Sequence, residues 1–403
     1  MLTALTPATS RSQGQDTNVQ KKGWLLRILT LFRISPWDLE NFSVRDLQDE
    51  MALDITYEEL SNPLKNEIHP LLMRHHWIDE VKRNNSIWKS LDPVLKIASR
   101  FISEDAFMPF FYNLLFARKS LPYTSVDRLN HRLQSFAVDS SLTPEQCQQT
   151  QFYLQDLGFG NHRISFEFFT EQRTIRKPYG YSDSGIWINA TSLEEKVMSK
   201  VCLNRTFLDT LYDHDNGIQR LTPCRLLRVR LGFAITIVHE LVHSLDRLST
   251  SNPIEPYFMD QQISELGRAW ECWMSGGRVF PFGHHFDIRA GLACQDWLGI
   301  YTGFVPKNWD KEVAASERLG RQALSSNPLG DHAAPWRGPL VSSMVTWPVK
   351  MQYVLKVQKE DFWKGEFRSR GMEAIRMPNV YGKREYRCPR GNHTHEEVVR
   401  RVN

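Results

Sequence analysis

The run "AITIVHELVHSLDRL", residues 234–248, sets His239 and His243 four residues apart, with Glu240 directly after the first. On an α-helix that spacing is one turn and about 40° of rotation, so the two imidazoles project side by side. Such a pair can share one tetrahedral zinc ion through nitrogens at about 2.0–2.1 Å. Glu240 lies about 100° from His239 around the helix. It stands off the ligand line but near enough to take a proton from a zinc-bound water, the work of a general base. Ile235, Ile237, Val238, Leu241, Val242 and Leu245 are apolar, so this helix is expected to be buried on nearly all sides. Three ionisable groups inside it need partners, and neutral imidazoles on a metal relieve part of that cost.

An H-E-x-x-H run arises by chance in about one chain in forty of this composition, so the flanking elements must carry the argument. The segment "TPCRLLRVRLGFAITIVHELVHSLDRL" opens with Thr222 as N-cap and Pro223 at the first helical position, which predicts one helix over 223–248. At about 1.5 Å per residue it would be about 39 Å long. Upstream, "SLTPEQCQQTQFYLQDLGFG" reads as a helix with Thr143 at its N-cap, Pro144 in the first turn and Gln146 completing a capping box. The stretches "RISFEFF" (163–169) and "GIWINATSL" (185–193) read as strands. Downstream, "QQISELGRAWECWMSGG" (261–277) reads as a helix stopped by Gly276 and Gly277.

The same patterns divide the chain. Residues 1–22 read as a disordered lead, and 23–137 as a helical region cut into short helices by prolines 63, 70, 93, 109 and 122. The motif falls in a core over 138–290. Residues 291–403 read as a mostly helical extension with a basic tail, its helix "LVSSMVTWPVKMQYVLKVQKEDFW" kinked at Pro348. The fold class expected is therefore α+β, predominantly helical, with a small mixed sheet beside the motif helix.

Composition narrows the function classes. With 41% hydrophobic and 24% charged residues the chain has the balance of a globular protein. A net charge of +4 is too small and dispersed for a nucleic-acid partner. The apolar run "GWLLRILTLFRI" is too short and too charged to cross a bilayer, which leaves a docked or surface-lying helix. No signal peptide is read at the start, and the six cysteines form no paired spacing, so reduced thiols in the cytoplasm are expected, with unconventional secretion left open. Four N-x-S/T sequons, at Asn41, Asn189, Asn204 and Asn392, carry no weight without an export signal.

The segment "TIVHELVHSL" resembles the zincin metallopeptidases. The resemblance implies that His239 and His243 bind zinc, that Glu240 polarises the attacking water, and that the substrate is a peptide or protein. The metzincin branch requires glycine and histidine where this chain has Asp246 and Ser249, which excludes it. The gluzincin branch takes a glutamate from a later helix as third ligand. "ISELGRAWECWMSGG" offers Glu265 and Glu271, 22 and 28 residues after His243. On one helix these stand about 240° apart and cannot both face one zinc. Glu265 has the more typical separation and is favoured. Glu271 has Gly267 one turn before it, where the two helix backbones could approach closely. The segment departs from the N-E-x-x-S-D form of the thermolysin relatives. Over about residues 140–370 the chain is also similar to fungal zincin-like proteins with an ELG-x-x-W-E…GG segment.

In zincins an extended substrate pairs with the edge of the sheet, a role that would fall to "GIWINATSL". Tyr257, His284, His285 and Tyr353 are candidate donors to the developing oxyanion. Cys388, His393 and His395 could touch a metal but lack a fourth ligand. A reading from another class keeps the motif as a structural or inert feature of a non-catalytic, mostly helical interaction protein.

Overall fold

The computed structural model describes residues 44–49, 51–54, 62–120, 134–138, 141–159, 164–170, 180–188, 195–250, 255–258, 265–281, 291–295, 299–300, 342–378, 381–387 and 394–400. The expected lead and the "GWLLRILTLFRI" segment lie outside them, as do His284, His285, Cys388 and His393.

In chain order the first helices are α1 (Val44–Asp49), α2 (Asp79–Arg83), α3 (Asn85–Ser103) and α4 (Met108–Phe116). Helix α3 runs through Pro93 rather than breaking there. A proline inside a helix costs about 3 kcal/mol. The long apolar face that α3 buries, including Leu91, Val94, Leu95, Phe101 and Ile102, outweighs it. The capping box opens α5 (Pro144–Phe159) as its sequence requires. The Thr143 amide donates to Gln146 Oε1 at 2.9 Å, and the Gln146 amide to Thr143 Oγ1 at 3.3 Å.

Short strands β1 (Lys119–Ser120) and β2 (Gln134–Phe136) precede a small mixed sheet of β3 (Ile164–Phe169), β4 (Gly180–Ile188) and β5 (Glu195–Asn204). Its order is β3-β5-β4, with β3 parallel and β4 antiparallel to β5. Strand β3 matches its expected span. Strand β4 begins five residues earlier than expected, and β5 was not foreseen, its charged residues having masked the β pattern. Asn204 closes β5 and caps α6 (Arg205–Asp215), accepting from the Thr206 amide at 2.9 Å while 1% exposed. Its sequon is therefore closed to glycosylation.

Helix α7 (Pro223–Ser249) carries the motif, with Thr222 capping the Arg225 amide as expected. After it come β6 (Tyr257–Phe258), parallel to β2, and α8 (Leu266–Ser275), which stops at Gly276 in the left-handed region at φ 88°. The remainder corrects the expectation of a mostly helical extension. Strands β7 (Arg278–Pro281), β8 (Leu292–Gln295), β9 (Gly299–Ile300), β10 (Ser342–Pro348), β11 (Tyr381–Arg387) and β12 (Thr394–Arg400) form an antiparallel sheet in the order β12-β11-β10-β8-β7, with β9 also on β10. Pro348 does not kink a helix. It ends β10, whose Val345, Thr346 and Trp347 suit an extended chain. Helix α9 (Met351–Lys356) follows, then short helical turns over 360–375.

One apolar cluster joins these pieces across the change of texture near residue 140. It includes Phe101 of α3, Leu154 of α5, Phe166 of β3, Ile237 of α7 and Trp270 of α8. Helix α7 runs through its middle, against α3, α8 and the β4–β5 pair. The Trp270 indole meets Phe101 at 5.8 Å between ring centres. At one end of α7, Arg228 is 1% exposed and pairs with Asp54 at 2.8 Å. At the other, Arg118 pairs with Asp246 at 2.7 Å and donates to Ser249 Oγ at 2.7 Å. Arg118 thus ties together Asp246 and Ser249, one turn apart at the end of α7.

The fold carries an acid-labile histidine away from the motif. His69 is buried, and its Nδ1 accepts the Leu71 amide at 3.2 Å, which only the neutral ring can do. Burial pushes its pKa down from 6.5 to about 4. In that window the unfolded chain binds a proton that the folded chain refuses, so stability is full above pH 6.5 and falls as pH drops toward 4. At pH 4.5 the expected loss from this ring is on the order of 2–3 kcal/mol. Urea unfolding at pH 7 and 4.5 checks it, because a His69→Asn variant should lose that much less than wild type.

Candidate metal centre

Helix α7 and the start of α8 bring together His239, His243 and Glu265, the three residues that the motif and its resemblance single out. Among the described residues they form the one group of histidine, cysteine or carboxylate side chains placed to hold a metal ion. Glu265 Oε1 lies 3.1 Å from His239 Nε2 and 3.3 Å from His243 Nε2. Tetrahedral bonds of about 2.0–2.1 Å separate ligand atoms by about 3.3 Å. The donor spacing therefore fits a zinc ion.

The other ring nitrogens explain how this is held. His239 Nδ1 is 2.6 Å from Glu271 Oε1, and His243 Nδ1 is 2.5 Å from Glu255 Oε1. Each carboxylate needs an N–H, so Nδ1 of both rings carries a proton, and Nε2, beside Glu265, is the atom left to exchange its own proton for a metal ion. Carboxylates behind metal-binding histidines orient the ring and raise its basicity in this way.

Charge around the rings favours a cation. Burial acts to lower the His239 pKa, but the Glu265 and Glu271 carboxylates outweigh it and push it up to about 10. Burial likewise opposes protonation of His243, and Glu255 and Glu265 raise it well above the usual histidine value. Burial would raise Glu265, yet the two imidazoles hold it well below the carboxylate range. A nest that draws protons onto both rings draws a divalent ion in competition with them.

Glu240 is 5% exposed, with Oε1 4.0 Å from His239 Nε2. It faces the convergence point without sharing in it. Burial, only partly offset by the two imidazoles, raises its pKa. That direction brings a carboxyl nearer the range useful for proton transfer at neutral pH.

Glu265 is not inside a helix. Its backbone is extended, at φ −155° and ψ 101°, and it is the N-cap of α8, with Oε2 accepting the Arg268 amide. The helix expected over 261–277 thus starts at Leu266, and the 240° argument does not apply. Both glutamates reach His239, Glu265 at Nε2 and Glu271 at Nδ1. Gly267 touches the same ring, since a Cβ there would overlap the His239 imidazole. Gly267→Ala should therefore displace the His239 ring. Overpacking of this kind costs about 1–3 kcal/mol, so zinc affinity should fall by about 5- to 150-fold, measured by chelator competition.

Glu255 was not singled out by sequence. It sits in "NPIEPYF", 12 residues after His243, in a loop with no periodic signal. The donors proposed for an oxyanion fare differently. The Tyr353 hydroxyl donates to the Ile375 carbonyl at 2.8 Å within the core, which removes it from the site. Tyr257 is buried in β6, paired with Ser135.

Compared with known proteins, the chain matches no family model, no curated protein and no solved structure.

Proposed function

We propose that this chain is a zinc-dependent metallohydrolase with a gluzincin-like site, and that it cleaves peptide bonds. The observation that carries this reading is the convergence of His239 Nε2, His243 Nε2 and Glu265 Oε1 beside the carboxylate of Glu240. When bound, zinc would supply Lewis acidity and bring the pKa of an attacking water down to about 7. His239 and His243 bind through Nε2, kept in that tautomer by Glu271 and Glu255. Glu265 completes the set and offsets part of the ion's charge. Glu240 accepts the proton released as water attacks the carbonyl carbon, and returns it to the leaving amine.

Substrate placement follows from the sheet. Among the described residues strand β4 pairs with β5 alone and forms an edge of the three-stranded sheet packed beside α7. An extended peptide could add there by main-chain hydrogen bonds. Among the described residues no helix is long and apolar enough to cross a membrane. Among the described residues no two cysteines are joined to each other by a disulfide, which suits a reducing compartment.

The test is direct. Zinc-loaded protein is incubated with a mixed peptide library, and new termini are read by mass spectrometry. Cleavage by wild type that disappears with Glu240→Gln supports the reading. Zinc binding without cleavage of any peptide favours the non-catalytic interaction protein.

A further inference from the structure

We propose that Glu255 is a positioning residue that fixes two metal ligands at once, setting the distance between His243 and Glu265. The inference rests on the zinc reading above and deepens it.

The two ends of one carboxylate carry the argument. Glu255 Oε1 is 2.5 Å from His243 Nδ1, and Oε2 accepts the Leu266 amide at 3.1 Å. Leu266 is the residue directly after Glu265 and the first of α8. A carboxylate is planar and rigid, so the ring of the second ligand and the backbone of the third are held at a fixed separation. Glu255 itself is anchored. It precedes Pro256, which restricts its backbone to extended conformations. The chain then enters β6, where Phe258 packs on Phe110 and Phe136 at 5.8 and 5.2 Å between ring centres.

Glu271 provides a matched comparison within the same site. It also orients a histidine with Oε1, but its Oε2 accepts the Val279 amide in β7, a residue with no part in the metal set. Glu271 therefore governs one ligand, and Glu255 governs two. Glutamine at either position serves only one of the two ends, because its amide nitrogen meets either an imidazole N–H or a backbone N–H.

The experiment measures zinc affinity of the full chain by chelator competition for wild type, Glu255→Gln and Glu271→Gln, each repeated in a Glu265→Ala background. Loss of an orienting partner costs about 10- to 100-fold, which is expected for Glu271→Gln. Glu255→Gln should cost at least about tenfold more and should alter the visible spectrum of the cobalt-substituted protein as the carboxylate ligand shifts. In the Glu265→Ala background its cost should shrink to that of Glu271→Gln, because only His243 is left to orient. Equal costs in the two single variants, or a cost of Glu255→Gln that Glu265→Ala leaves unchanged, would overturn the brace while leaving the zinc site standing. Wild type that binds no zinc would remove the metal reading and the brace together. If Glu255→Gln does not fold, Glu255→Asp against Glu271→Asp makes the same comparison, since the shorter carboxylate cannot span both ends.

Discussion

Glu240→Gln protein is expected to bind zinc nearly as tightly as wild type and to hydrolyse peptides about 10²- to 10⁴-fold more slowly. Glutamine keeps the size and most of the packing of a side chain that is 5% exposed. It adds and removes no ligand, because Glu240 stands 4.0 Å from His239 Nε2 while Glu265 makes the close approaches to both rings. An amide cannot take up a proton near neutral pH, so the loss should appear in kcat and not in metal content. Single-turnover hydrolysis alongside metal analysis reads both quantities on one preparation. A fall in activity that tracks a fall in zinc would mean that Glu240 holds the metal instead of moving a proton.

The second large effect concerns the ligands. His243→Ala removes a nitrogen donor and leaves the Glu255 carboxylate without the ring it faces, so the protein should lose its zinc on dialysis and its hydrolysis with it. Glu265→Ala removes the oxygen donor and also the N-cap of α8, a loss of about 1 kcal/mol in stability. It should retain zinc far less well than Glu271→Ala, which costs an orienting partner and about 10- to 100-fold in affinity. The order of retention expected is wild type, Glu271→Ala, Glu265→Ala, then His243→Ala. Equal retention by the two glutamate variants would contradict the assignment of Glu265 as the ligand.

How much of this was legible depended on whether the signal was local. The motif helix was read to within one residue of its observed end because its cap, first-turn proline and apolar run lie together in sequence. The capping box at Thr143 and the stop at Gly276 were readable for the same reason. Glu265 is preferred over Glu271 for its separation from His243, whereas the helical-wheel bar to both facing one ion presumes that both residues are helical. The chain is extended at Glu265, and a cap residue can aim one oxygen at the helix and the other away from it. Glu255 was out of reach, because a loop carboxylate becomes a partner of His243 only once β6 pairs with β2. In the last third, apolar residues on both sides of Pro348 gave a helical impression, while strand pairing between segments far apart in sequence produced a sheet.

Zinc K-edge X-ray absorption on protein reconstituted with zinc and desalted tests the central claim most directly. The account predicts one zinc per chain, scattering from two imidazoles at about 2.0–2.1 Å with oxygen completing the shell, and no sulfur. Zinc lost on desalting, or held with sulfur or with fewer than two imidazoles, would contradict it.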